Sequence, residues 1–146
     1  MTVDGAEGRS QASGGPAFQI LLNEETASVQ RFETTAEIVG EARVVTVRGE
    51  LDIATSPQVR DLLSHVATDR ARPLVIDLAE CEFIDSTGLA ALLHGAKPAQ
   101  NGQSHVAIVS AEGDVRRMLE LTAIDKTIPV FETLDQALTA VLAVGR

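Results

Sequence analysis

The chain has 146 residues, 45% of them hydrophobic, which fits one domain with a substantial core and gives no sign of a second. Its 21 acidic against 12 basic residues leave a formal charge of -9, and no basic run exceeds Arg116-Arg117, so a phosphate backbone is repelled and no nucleic acid is expected as partner. Four Phe with no Trp or Tyr also remove the stacking platforms used by single-strand binders.

Cys81 is the single cysteine, so an internal disulfide is ruled out. Its place just after an apolar run reads as an ordinary half-buried thiol in a reducing compartment. Met1 to Pro16 has no apolar core of signal-peptide length, and no segment approaches the roughly 18 apolar residues of a membrane span. The expectation is a soluble, cytoplasmic protein with no membrane insertion.

Met1 to Pro16, rich in Gly, Ser, Ala and charge and closed by Gly14-Gly15-Pro16, is expected to be a disordered tail. Phe18, Ile20, Leu21 and Leu22 form an apolar cluster that fits either an added edge strand or a clip on the domain. Residues 1–30 are therefore taken as a flexible N-terminal extension and residues 31–146 as the folded domain. From Phe32 to Val39 and from Ala42 to Leu51 the chain alternates in strand fashion about Gly40-Glu41, which predicts a hairpin with Val45, Val47 and Leu51 on its inner face. Gly49-Glu50-Leu51-Asp52 ends the second strand, and Thr55-Ser56-Pro57 supplies an N-cap followed by proline at the first helical position. Val59, Leu62, Leu63 and Val66 are the apolar stripe of the helix that follows.

Leu74, Val75, Ile76 and Leu78 have the branched, continuous character of a strand buried on both faces. Leu89, Leu92, Leu93 and Ala96 then recur at helical spacing, so the chain turns between Cys81 and Gly88, where Asp85, Ser86 or Thr87 can each serve as N-cap. His105 to Val109 reads as another buried strand, and Val115, Met118 and Leu119 mark a third helix. A last strand is expected around Ile128 to Phe131. Thr133-Leu134-Asp135-Gln136 has the form of a capping box, and Leu138, Val141 and Leu142 carry the final helix. Two leading strands followed by repeated helix-strand alternation give an α/β fold with a mixed, partly parallel sheet. Sites in such sheets favour the carboxyl ends of strands, and the right-handed crossover rule puts the turns Glu50 to Ser56 and Cys81 to Gly88 at the same edge.

The chain has no Walker or dinucleotide glycine loop and no Cys or His pairs at metal spacing. His65, His94 and His105 are isolated and read as surface or packing residues. Ser86 lacks the small neighbours of a nucleophile elbow, has Asp85 beside it and has no histidine placed to activate it. No catalytic residue, metal or cofactor is therefore expected, and the chain is not read as an enzyme. What remains at Asp85-Ser86-Thr87-Gly88 is a hydroxyl at a helix N-terminus. The bland interpretation is a serine that merely caps a helix. The sharper one is a modification site: phosphate there would meet free N–H groups and the positive end of the helix dipole, while adding about -1.5 to -2 charge beside Asp85 and near Glu50 and Asp52.

Val44-Val-Thr-Val-Arg-Gly-Glu-Leu-Asp52, Leu74-Val-Ile-Asp-Leu78, Phe83-Ile-Asp-Ser-Thr-Gly-Leu89 and Ile128-Pro-Val-Phe-Glu-Thr-Leu-Asp-Gln-Ala-Leu138 together resemble a bacterial STAS domain of the anti-sigma factor antagonist family, over about Phe32 to Val144. The resemblance implies a STAS fold, with a mixed four- to five-stranded sheet and about four helices packed on it. It further implies partner switching in the control of transcription, as in stress responses. By that resemblance the unphosphorylated protein is expected to dock on an anti-sigma factor that is also a serine kinase of the GHKL type, and so to free a sigma factor. Phosphorylation of Ser86, the residue matching the family's serine, is expected to block docking, and a phosphatase acting on phosphorylated Ser86 to restore it. Asp52, Asp85, Thr87, Gly88 and Leu89 match family positions at or near the partner surface. A STAS adaptor in another assembly, such as a lipid-transport ABC complex or a stress-signalling scaffold, is the alternative. The chain departs from the family in Leu121-Thr122-Ala123-Ile124, where a glycine is usual and Ala123 suggests a modestly different helix exit. Its N-terminal extension is also longer than the domain needs.

Overall fold

The computed structural model describes residues 32–68, 72–101 and 105–144. The extension expected over residues 1–30, with its tail and its Phe18 to Leu22 cluster, lies outside the described residues. Among the described residues one sheet holds β1 (Glu33–Val39), β2 (Ala42–Leu51), β3 (Leu74–Ile84), β4 (Val106–Val109) and β5 (Val130–Phe131), side by side in chain order. β1 is antiparallel to β2, and the remaining pairs are parallel. The helices among those residues are α1 (Ser56–Val66), α2 (Ser86–Asn101), α3 (Asp114–Leu121) and α4 (Leu134–Val144), with a 3-10 turn at Ile124–Lys126.

The expected hairpin forms. Gly40 takes φ +63 at the first of its two loop positions, the left-handed value a type II′ turn requires there, and Val39 pairs with Ala42 across it. Val45, Val47 and Leu51 are fully buried on one face with Leu74, Ile76, Leu78 and Ile108. α1, α2 and α3 cover that face through Val59, Leu63 and Val66, through Leu89, Leu92, Ala96 and Ala99, and through Val115 and Leu119. On the other face Ala137 and Val141 of α4 seal Val44, Val75, Ala107 and Val109. Helices on both sides account for the unbroken apolar runs of β3 and β4. Each fully buried Leu or Ile there contributes about 1.5–3 kcal/mol relative to exposure.

Several elements differ from the sequence expectation. β3 does not stop at Leu78 but runs to Ile84, so Cys81 lies inside a strand and is buried, 7% exposed, rather than half-buried. The added length is hidden by two register shifts against β2, at Thr46/Arg48 and Gly49/Glu50. Each inserts a residue on β3, so the core-facing positions become Leu78, Cys81 and Ile84 and the two-residue alternation disappears. α2 continues past Ala96 to Asn101 with Pro98 inside it. β5 is shorter than expected: Val130 and Phe131 pair with Ile108 and Val109, while Pro129 offers only its carbonyl, which accepts the Ile108 N–H at 2.9 Å.

Thr55 is at the N-cap position of α1 and Pro57 is in the first turn, but the Thr55 hydroxyl makes no capping bond. The capping box of α4 forms in full: the Gln136 N–H donates to Thr133 Oγ1 at 3.2 Å, and Gln136 Oε1 accepts the Thr133 N–H at 3.3 Å. Ala123, expected to alter the exit from α3, instead adopts the left-handed conformation itself, with φ 63 and ψ 20. Its N–H donates to the Glu120 carbonyl, and the Ile124 side chain that follows is buried. An alanine held there costs about 1 kcal/mol relative to glycine. Ala123→Gly is therefore expected to raise the thermal midpoint by roughly 3–6 °C in a circular-dichroism melt; an unchanged or lower midpoint would show that the strain is not borne at this residue.

Candidate functional site

Because β2 and β3 are parallel, their carboxyl ends finish side by side, with Glu50 opposite Phe83 and Leu51 opposite Ile84. The next residue, Asp85, donates its N–H to the Leu51 carbonyl at 3.2 Å, which ties the start of α2 to the end of β2. Of the three candidate caps it is Asp85 that acts: Oδ1 accepts the Gly88 N–H at 2.9 Å, and the Asp85 carbonyl accepts the Leu89 N–H at 2.9 Å. A carboxylate at that position also faces the positive end of the helix dipole. Ser86 is thus the first helical residue, with its side chain exposed and the cap supplied by its neighbour.

Thr87 is half-buried, while Gly88 and Leu89 are buried. The last two lie beneath the surface and seat the helix. A Cβ on residue 88 would stand 2.7 Å from the Leu51 carbonyl oxygen and 2.8 Å from Leu51 Cγ, so glycine is what lets α2 begin this close to β2. Leu89, 4% exposed, anchors the first turn in the core.

The turn after β2 is organised by Asp52 and Thr55. Asp52 Oδ1 accepts the N–H groups of Ala54 at 3.0 Å and Thr55 at 3.2 Å. The Thr55 hydroxyl accepts the Asp52 N–H at 2.9 Å and donates to the Glu50 carbonyl at 2.8 Å. Asp52, expected near a partner surface, is half-buried and shapes this loop. The two turns do meet at one sheet edge. Glu50 and Glu82 are exposed there, beside half-buried Asp52 and Asp85.

Two residues at this edge escaped the sequence reading. Ile53 is 74% exposed and Phe83 47% exposed. Their signal was an apolar side chain set among polar turn residues, which by type alone reads as core. Just below, burial pushes the Cys81 thiol up from its ordinary 9.0 to about 11. Its Sγ contacts the Phe83 carbonyl oxygen at 3.4 Å. His65 and His94 are exposed, and no group of three or more His, Cys, Asp or Glu among the described residues could hold a metal ion. No described helix is long and apolar enough to cross a membrane.

The STAS domain family model matches residues 33–137, and the chain belongs to the STAS family, among the bacterial anti-sigma factor antagonists. It is 39% identical over 99 residues to the anti-sigma-F factor antagonist RsfB of Mycobacterium tuberculosis, covering 67% of this chain and 80% of the relative. It is 27% identical over 111 residues to the anti-sigma-B factor antagonist of Staphylococcus aureus, covering 76% and 94%. A crystal structure of an anti-sigma factor antagonist from Mycobacterium paratuberculosis superposes with a TM-score of 0.70 at 37% identity, covering 76% of this chain and 94% of that one.

Gly88→Ala is expected to destabilise the fold by about 1–3 kcal/mol, because the contact it meets is backbone and cannot swing away; an unshifted urea midpoint would contradict the close approach of α2 to β2. Cys81 gives the edge a second, pH-dependent signature. The unfolded thiol ionises near its ordinary value and the folded one only near 11, so between those values the unfolded state holds fewer protons. Stability is therefore retained below about pH 9 and falls as pH rises towards 11, by about 2 kcal/mol from this group. Urea unfolding at about pH 8 and about pH 10.5 should show a loss smaller by that amount in Cys81→Ala than in the wild type; parallel losses in both proteins would show that the thiol is not the source.

Proposed function

We propose that this chain is an anti-sigma factor antagonist that works by partner switching in the cytoplasm. Unphosphorylated, it docks through the edge bearing Ser86 on an anti-sigma factor that is also a serine kinase of the GHKL type, and a sigma factor is released. Phosphorylation of Ser86 ends the docking, and a phosphatase acting on that residue restores it. The antagonists of anti-sigma-F and anti-sigma-B factors among its relatives support the general role.

The observation that carries the switch is the division of labour at the start of α2. Asp85 holds the helix cap, so the exposed Ser86 hydroxyl can be esterified without removing any bond that the fold uses there. The phosphate would lie near the free amides of the first turn, where the helix tolerates negative charge. A partner would not tolerate it. About -1.5 to -2 charge is added to an edge already lined by Glu50, Asp52, Glu82 and Asp85. Like charges at about 4 Å near a protein surface repel by up to roughly 4 kcal/mol before screening, enough to undo a reversible complex.

Incubation with the cognate kinase and ATP, read by intact mass, is expected to add one phosphate to the wild type and none to Ser86→Ala. In calorimetry Ser86→Ala should bind the kinase like the wild type, whereas Ser86→Asp binds at least about tenfold more weakly. Phosphate that persists in Ser86→Ala, or equal affinities for the two variants, would count against the switch.

A further inference from the structure

Among the described residues four large apolar side chains are exposed, Ile38, Ile53, Phe83 and Leu121, and two of them flank the Ser86 turn. Ile53 stands in the loop between β2 and α1, held out by the Asp52 and Thr55 hydrogen bonds that fix that loop. Phe83 pairs with Glu50 near the end of β3, three residues before Ser86. Ile53 keeps about three quarters and Phe83 about half of its surface in solvent, apolar area next to Ser86 that the fold itself leaves uncovered. Segments 50–56 and 81–89 contain four carboxylates, Glu50, Asp52, Glu82 and Asp85, and no Lys or Arg. The nearest basic residue along β2, Arg48, is already paired with Glu33 at 3.3 Å and Glu80 at 2.8 Å. The edge thus sets an apolar pair among four carboxylates, the acidic ring, with no Lys or Arg in either segment.

We propose that Ile53 and Phe83 are the anchors by which the anti-sigma factor kinase is held, entering an apolar socket whose rim carries Lys or Arg. This rests on the docking role proposed above for the Ser86 edge. Charge complementarity selects that occupant: a second copy of this chain would bring a like acidic ring against the first, and its apolar pair could be covered only at the expense of that repulsion. Anchors and ring then do different work. Buried apolar contacts at the centre set how long the complex lasts, and exposed rim charges set how fast it forms. Ser86 lies beside both, so its phosphate unbalances the ring that must be matched before the anchors can be covered.

The test uses the full chain and the kinase that phosphorylates Ser86 in the assay above, with association and dissociation rates followed by surface plasmon resonance at two salt concentrations. Ile53→Ser and Phe83→Ser should each speed dissociation by at least about tenfold while changing association by less than about threefold. Glu82→Gln should slow association several-fold and flatten its salt dependence, leaving dissociation near the wild-type rate. Ile53 is exposed in a turn, so its variant should melt as the wild type does; Phe83→Leu, which keeps an apolar side chain on β3, should retain most of the affinity. Wild-type dissociation rates in both serine variants, with Ser86 still phosphorylated, would overturn the anchors alone. A wild-type chain that no kinase binds or phosphorylates would overturn the parent proposal and the anchors with it. Self-association of the wild type that vanishes in Ile53→Ser would also overturn the assignment, in favour of a second copy.

Discussion

One backbone oxygen holds the edge of the candidate site together. The Leu51 carbonyl takes the Asp85 N–H at 3.2 Å and occupies the space into which a side chain at residue 88 would project. The end of β2, the end of β3 and the start of α2 are therefore fixed to one another at a single point. That point exists only because β2 and β3 finish level, from Arg43 opposite Leu74 to Leu51 opposite Ile84. β3 is the longer strand over that ladder, and its extra residues are taken up in the two register shifts rather than in a longer loop. Bulges of this kind bend and twist the strand that carries them. Here the shifts fall in the stretch of sheet just before the candidate site.

From that join the local chemistry follows. Asp85 is placed to cap α2, so the serine after it is relieved of capping and stands in the first turn facing solvent. Across the edge, Asp52 and Thr55 close their own loop with side-chain bonds, which fixes the backbone from which Ile53 projects. Both loops are short and internally bonded, and both spring from strands whose inward residues are fully buried. A hydroxyl, four carboxylates and two apolar side chains are in this way presented by rigid elements.

The fold was legible where a single periodicity held. The hairpin about Gly40, the stripes Val59 to Val66 and Leu89 to Ala96, and the Thr133 to Gln136 capping box each repeat one local rule, and the structure follows it. β3 was misjudged past Leu78 because two inserted residues turn the core spacing from two to three, so Ala79-Glu80-Cys81-Glu82-Phe83 looks like neither strand nor helix. Ala123 was misjudged because residue type predicts the preferred backbone, whereas burial of Ile124 and the Ala123 N–H bond to Glu120 impose the less favoured one. Ser86 could be picked out by its helix-start context, but the choice of Asp85 as cap required the bond to Gly88. Ile53 and Phe83 were invisible for a different reason: hydrophobic type and buried position usually coincide, and their exposure is a tertiary fact.

The same rigidity constrains how modification can act. Beneath the edge Cys81 and Ile84 of β3 are held in the core, and Leu89 locks the first turn of α2 from below. Ser86 is exposed, and the cap whose loss would unravel the helix belongs to Asp85. On the proposed reading, discrimination between the two forms must then be made at the interface, by charge that the partner has to match, and not by a rearrangement of this domain. Such a switch needs a docking surface whose net attraction is small enough for one phosphate to reverse it. On the same proposed reading, two apolar anchors among four carboxylates would meet that condition, because the anchors would add affinity without adding charge and the carboxylates would leave the outcome sensitive to roughly two more negative units.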